Sequence, residues 1–544
     1  MRLKQGFQIF ALSVLSTIFT AIPTLAAQRI STFYGIIELS ISIASLETYA
    51  QSGFIDNELA VYTQRLNPED LVTLRQLLNQ RIDFNSVALS QFLYSSMGES
   101  ALEYVGELIQ TDAHQNGFYA IRSTLILAAA DPDGLTLLNV LKQFPSDTIR
   151  VNFTTAQQTI AAFTQLFEQI EQIDAWIEQQ SLIAETASSI TPSLDLHTSG
   201  SWRWRVETLT LYDAQRDREL MIDLYRPQFN QPAPVLILSP GLAASRTNFA
   251  YLAQHLASHG FAVAILDHPG SDRQQLQNLQ DGAVSEVVQP SELIDRPLDI
   301  SAVLDELERL NQVNEAEPFN LQQVGILGHS FGGYTALAVA GATVNLTQLR
   351  STCESDTIDV TLANPSLLLQ CAAVDLPTET IPALHDERLR AVFVFNPIGS
   401  SLFGADGLSQ IEIPVMMVGG SQDAIAPALV EQICPFTWLT TPERYLALIQ
   451  GGTHVYIAQR EATALPILDS PDPLLARRYL KILSLAFAQT HVADRPEYQP
   501  YLTAAYGQAI SQAPMRLRLV HSLAIAELPE TIDFTCPGAS PEPF

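Results

Sequence analysis

Five short, continuously apolar runs punctuate the second half of the chain, at 235–238, 262–266, 324–327, 392–395 and 415–418. Each is followed by a turn and a helix-like stretch. Runs this short and this uniformly apolar predict strands buried on both faces, in a parallel sheet whose crossovers are helices. Just upstream the pattern differs. Trp202, Trp204 and Val206 alternate with polar residues, as do Leu209 and Leu211, and 220–225 forms another strand-like stretch. Alternation of this kind predicts an antiparallel start to the same sheet. Residues 200–544 therefore read as one α/β domain, a mostly parallel sheet flanked by helices, with an insertion at 343–388.

The first part of the chain carries a helical period instead. Leu71, Leu74, Leu77 and Leu78 recur on one face after Asn67-Pro68-Glu69, which supplies a cap and a first turn. Residues 125–130 and 135–141 repeat the theme on either side of the breaker Asp131-Pro132-Asp133-Gly134. The pattern predicts an all-helical domain over 28–150, with no motif that carries chemistry. A helical connector over 151–199 follows, containing a long amphipathic helix or helix pair at 155–188. Residues 1–27 read as a signal peptide: Arg2 and Lys4, an apolar run over 7–22, then Thr24-Leu25-Ala26-Ala27. Gln8, Ser13, Ser16 and Thr17 interrupt that run, which argues against an uncleaved anchor, and no later stretch reaches the roughly 18 apolar residues of a span.

Composition narrows the partners. With 29 basic and 58 acidic residues the formal charge is −29. Such a surface repels phosphate backbones and anionic lipid, so no nucleic acid partner and no stable membrane span are expected. A protein partner for the helical domain stays open. The export signal implies a periplasmic or extracellular location, where the four cysteines can pair. Three pairings are possible. Cys353 and Cys371 share the inserted segment, which favours that local pair and leaves Cys434 with Cys536. No Cys-x-x-Cys or His/Cys cluster points to a metal.

The chemistry concentrates at Gly328-His329-Ser330-Phe331-Gly332, followed by Gly333. It sits between the apolar run at 324–327 and a helix-like stretch at 334–342. This is the setting of a nucleophile elbow, in which small residues allow a tight turn that lifts a serine to the end of the sheet. The alternative is a glycine-rich turn without catalysis. A serine of this type needs a base and an acid later in the chain. Of the four histidines after Ser330, His454 alone lies on a loop after a strand-like run; His385 precedes a strand, and His491 and His521 fall in helical patterns. Asp423 lies on the loop after 415–418 and is the expected acid, with Asp406 as rival and a helix N-cap as its structural alternative. The oxyanion hole is expected from the backbone N–H groups of Phe331 and of Leu242, in the loop Ser239-Pro240-Gly241-Leu242-Ala243. His255 and His259 are four apart on a helix with no third ligand, so a solvated face is the expectation. His268, in Asp267-His268-Pro269-Gly270, is expected to serve the turn.

Two stretches resemble plasma-type platelet-activating factor acetylhydrolases: Ser239-Pro240-Gly241-Leu242 with Arg246-Thr247 and 256–261, and the segment Gly328 to Gly333. The resemblance spans roughly 200–490. It implies an α/β-hydrolase fold and a serine esterase or lipase removing short acyl groups, phospholipid acyl groups among them, without cofactor or metal. Asp423 with Ala426-Pro427 instead resembles the dienelactone-hydrolase and cutinase-like polyesterase branch; where the acetylhydrolase acid would follow the strand at 392–395, this chain has Asn396-Pro397. Residues 28–150, through Tyr34-Gly35, Ser45-Leu46-Glu47 and 125–138, resemble a helical domain of unknown function that precedes cyanobacterial hydrolase domains. The expected function is hydrolysis of a small-molecule ester or lipid. The alternatives are a polyesterase and a non-enzymatic envelope protein that uses the fold as a scaffold.

Overall fold

The computed structural model describes residues 26–523 and Cys536, apart from 65, 83, 186–193, 230, 314–317, 355–363, 379–380 and 456–469. Nearly all of the expected signal peptide lies outside the described residues. By its internal contacts the chain forms two units: 1–93 with 101–157, and 94–100 with 158–544.

The larger unit is built on nine strands: β1 (Trp204–Asp213), β2 (Arg218–Pro227), β3 (Ala233–Ser239), β4 (Ala262–Leu266), β5 (Phe319–His329), β6 (Leu389–Phe395), β7 (Val415–Gly420), β8 (Arg444–Ile449) and β9 (Leu517–Val520). Their spatial order is β1-β2-β4-β3-β5-β6-β7-β8-β9. Strands β3 to β8 run parallel; β1 and β2 pair antiparallel to each other, and β2 and β9 are antiparallel to their inner neighbours. The five apolar runs are thus β3 to β7, and the alternating stretch is the antiparallel β1–β2 ribbon.

The period of two sorts each strand into opposite faces. Val235, Ile237, Val324, Ile326, Val392, Val394, Val415 and Met417 enter one core, against Ile300, Val303, Leu304 and Leu307. Leu236, Leu238, Leu327, Phe393, Phe395, Met416 and Val418 enter the other, against Leu252, Leu256, Leu480, Leu483 and Phe487. The helices concerned are α1 (Phe153–Glu185), α2 (Ala250–Ser258), α3 (Arg273–Gln280), α4 (Glu292–Val313), α5 (Phe331–Val339) and α6 (Pro473–His491). The described part of the helical stretch expected at 155–188 is the single helix α1, and its Leu166, Ile170, Ile173 and Ile177 recur at helical spacing on one buried stripe of the first core. Cys353 pairs with Cys371 and Cys434 with Cys536, with Cα separations of 5.8 and 5.5 Å.

The smaller unit is helix-rich, as its periodicity predicts. Asn67 caps the helix Pro68–Asn79 in a capping box with Asp70, and Pro68 occupies the first turn. Gly134, at φ +73°, makes the turn between Phe118–Ala130 and Leu137–Gln143. The unit also holds strands that an all-helical expectation did not include. Arg29–Tyr34 pairs with Ile37–Ser42 and with Thr148–Val151, and Ile109–Gln110 completes a four-stranded sheet. Short strands joined across more than a hundred residues leave little periodic signal.

Candidate active site

Strand β5 ends at His329, and the chain turns so sharply that Ser330 adopts φ 54°, ψ −118° before α5 begins at Phe331. A non-glycine residue at positive φ is strained, and such strain persists only where surrounding structure imposes it. The two elbow glycines make the turn possible. A Cβ on Gly328 would collide with the Gly332 carbonyl, and one on Gly332 with the Ser239 carbonyl.

The elbow brings Ser330, His454 and Asp423 together. Ser330 Oγ lies 2.8 Å from His454 Nε2, and His454 Nδ1 lies 2.8 Å from Asp423 Oδ2. Asp423 is fully buried, whereas Ser330 and His454 keep slight exposure to a cavity. The carboxylate is fully engaged: Oδ1 accepts the N–H groups of Ile425 and Ala426 at 2.9 and 2.8 Å, and Oδ2 accepts the Asn396 amide at 2.5 Å besides His454. Asp423 therefore caps the following turn and faces the imidazole at once.

The rivals lie elsewhere. Asp406 is exposed on the helix Ser400–Leu408, and His385 is exposed. His491 contacts the Tyr445 hydroxyl and His521 contacts Glu443.

The loop after β3 crosses the elbow closely. A Cβ on Gly241 would come within 3.1 Å of Ser330 Cβ. The Ala243 N–H donates to the Ser271 carbonyl at 2.8 Å. Phe331 is the first residue of its helix, so its N–H has no intrahelical acceptor. The Leu242 N–H takes no backbone carbonyl among the described residues. Leu242, Ser330 and His454 line a cavity of about 440 Å³, and Phe331 follows Ser330 directly in the chain. Asn248, Arg273, Gln277 and Gln280 line it as well. No described residue of the 343–388 insertion lines it, contrary to the common role of such insertions as caps. The insertion instead sends Asn364, Ser366 and Gln370 onto the buried Glu431 carboxylate, which also accepts the Gly399 and Ser400 N–H groups.

Two contributors escaped the sequence reading. Asn396 follows β6 at φ 45° and donates to Asp423. In the sequence its signal is the amide directly after the apolar run at 392–395. His329, inside the elbow motif, donates its Nε2–H to the His454 carbonyl at 2.9 Å. Burial, with the neighbouring His454, lowers the His329 pKa to about 3, so this ring is a neutral strut. His255 is buried beside His259 rather than on a solvated face, because α2 turns that side toward the core. Among the described residues no cluster of His, Cys, Asp or Glu could hold a metal ion.

Two family models match the chain. One, described as an alpha/beta hydrolase of unknown function (DUF1400), covers residues 26–152; the other, described as the alpha/beta hydrolase fold, covers 234–346. No curated protein matches the sequence. The first match lies on the helix-rich unit, and the second runs from β3 through the elbow into the segment after α5. With this strand order and an elbow at the end of β5, the chain has the α/β-hydrolase fold.

Proposed function

We propose that the protein is an exported serine hydrolase of carboxylic esters, working through an acyl-Ser330 intermediate. The observation that carries this reading is the unbroken hydrogen-bond chain Ser330–His454–Asp423, with two 2.8 Å links, opening on a cavity. His454 Nε2 accepts the Ser330 proton as Oγ attacks the ester carbonyl. Asp423 holds Nδ1–H and stabilises the imidazolium. The Leu242 and Phe331 amides receive the negative charge on the carbonyl oxygen. The tetrahedral adduct collapses, His454 returns its proton to the leaving alcohol, and Ser330 keeps the acyl group. Water, deprotonated by His454, then releases the acid and restores the serine.

The cavity supports small substrates. Its lining divides by chemistry, with Leu242, Phe249 and Leu276 apolar and Asn248, Arg273 and Gln277 polar. Short-acyl esters, or phospholipids carrying a short acyl chain, fit that division. Export is supported by the two cysteine pairs, since disulfides persist in oxidising compartments. No described helix is long and apolar enough to cross a membrane.

The test is hydrolysis of p-nitrophenyl acetate and butyrate by wild type and Ser330→Ala. Equal turnover by the two would refute the acyl-serine mechanism, and no turnover by wild type would favour the scaffold alternative. A panel running from short esters through sn-2-acetyl phospholipids to polyester then sets the substrate. Preference for long-chain triglyceride would overturn the short-acyl assignment.

A further inference from the structure

Behind the oxyanion loop lies a second Ser–His–Asp set. Ser239 ends β3, His268 follows β4, and Asp299 lies on α4. Ser239 Oγ is 2.9 Å from His268 Nε2, and His268 Nδ1 is 2.9 Å from Asp299 Oδ2. All three are at most 1% exposed, so no substrate reaches this serine. Burial, reinforced by the nearby Arg296 charge, lowers the His268 pKa to about 3. The ring is therefore neutral. It donates Nδ1–H to Asp299 and accepts the Ser239 hydroxyl proton at Nε2. Asp299 stays ionised: burial opposes the charge, but bonds from His268 and Arg218 outweigh it. Arg218 reaches both Asp299 oxygens, at 3.1 and 2.9 Å, and Glu292 at 2.7 Å.

The set converges on Arg296, itself 1% exposed. Nη2 donates to the Pro240 carbonyl and, at 3.3 Å, to Ser239 Oγ. Nη1 donates to Ser271 Oγ at 2.8 Å, and Ser271 Oγ in turn donates to Glu292. On the other side Nε donates to Thr335 Oγ1 at 3.0 Å, and the guanidinium carbon sits 4.5 Å over the Phe331 ring. One planar cation thus grips the loop that carries Leu242 and the helix that begins at Phe331. A buried charge network of this size is expensive to desolvate and seldom adds stability for its own sake. What it supplies is fixed geometry.

We propose that Arg296, held by Ser239 and Ser271 with His268, Asp299 and Glu292 behind them, is a positioning residue that sets the spacing between the two oxyanion donors, the Leu242 and Phe331 amides. The inference rests on the ester-hydrolase reading above. It assigns no chemistry to Ser239, which lies too deep to attack anything. Donors aimed at a developing charge lose their worth when displaced by a fraction of an ångström, and losing one donor outright costs about 10²–10³ in rate.

The experiment compares wild type with Arg296→Lys, Ser239→Ala and Thr335→Val, all checked for folding by circular dichroism and thermal melting. Arg296→Lys keeps the charge but lacks the three-way planar fork. It is expected to lower kcat on p-nitrophenyl butyrate by about 10- to 100-fold, with KM within about threefold. The single-contact variants are expected to lose about 3- to 10-fold. The second readout is phenylboronic acid, which forms a tetrahedral adduct on the nucleophilic serine. Its affinity should fall in step with kcat/KM, which a loss of packing alone would not produce. If Arg296→Lys does not fold, the two single-contact variants decide. Folded variants with unchanged kcat, or boronate affinity that does not follow kcat/KM, overturn the proposal. Absence of ester turnover by wild type would instead remove the ester-hydrolase reading, and this inference with it.

Discussion

The molecule contains two Ser–His–Asp sets with nearly identical internal geometry and opposite surroundings. The outer set, Ser330–His454–Asp423, has links of 2.8 and 2.8 Å; the inner set, Ser239–His268–Asp299, has 2.9 and 2.9 Å. Distances alone do not distinguish them. The outer serine sits on a strained turn at positive φ and lines a cavity. The inner serine ends a strand, without exposure, and its oxygen also faces a buried guanidinium. A triad is defined by what its serine can reach. The same three side-chain types stand open to a cavity in one set and sealed inside the protein in the other.

Removing each serine in turn separates the two sets most sharply. Ser330→Ala is expected to cut kcat for p-nitrophenyl butyrate by about 10⁴-fold or more, whereas Ser239→Ala keeps at least a tenth of wild-type turnover. Comparable losses in both would mean that the two sets are not different in kind. Next in size, Asp423→Asn should lower kcat by about 10³- to 10⁴-fold with the fold intact, since the amide favours the wrong imidazole tautomer. Steady-state kinetics against the wild-type melting curve checks it; a loss under tenfold would count against Asp423 as orienter.

A smaller effect is expected at Asn396, whose amide is one of four donors on that carboxylate. Asn396→Ala should cost about tenfold in kcat, the worth of one charge-assisted hydrogen bond, and Asn396→Asp should cost more by setting two carboxylates together. A wild-type rate in Asn396→Asp would contradict the geometry.

The smallest effect concerns acid stability of the inner set. Burial lowers the His268 pKa from the ordinary 6.5 to about 3, so the unfolded chain takes up a proton that the folded chain refuses. Stability from this source is complete above about pH 6.5 and is lost as pH falls toward 3, on the order of 1 kcal/mol per pH unit. Urea unfolding of wild type and His268→Gln between pH 4 and 8 measures it. The variant is expected to be less stable at pH 8 yet to lose less on acidification; parallel curves would show that His268 does not stay neutral in the folded protein.

The site was legible to different depths. Gly328, Ser330 and Gly332 announce themselves because an elbow is a local event, in which small residues at fixed offsets follow an apolar run. Asp423 and His454 could be proposed only through chain order, since they lie 31 residues apart and His454 lies 124 from Ser330. Asn396 was visible only as an amide directly after the apolar run at 392–395. Ser239, His268, Asp299 and Arg296 formed no motif; serine, histidine and aspartate are common in turns and caps, and nothing local marks them as partners.

By itself the sequence determined the sheet. Five uniformly apolar runs and an alternating ribbon can bury their side chains only as central strands and an antiparallel edge, and that pattern holds from β1 to β7. It also determined where the tight turn falls, because chain sterics at Gly328–Gly332 depend on neighbours in sequence. Tertiary structure decided the rest: the short strands of the smaller unit, the packing of Asn364, Ser366 and Gln370 on Glu431, and the sealing of one Ser–His–Asp set while the other stays open. Periodicity and turn sterics act over a few residues and can be read along a chain. Burial and hydrogen-bond partnership are properties of a folded interior, where residues distant in sequence meet.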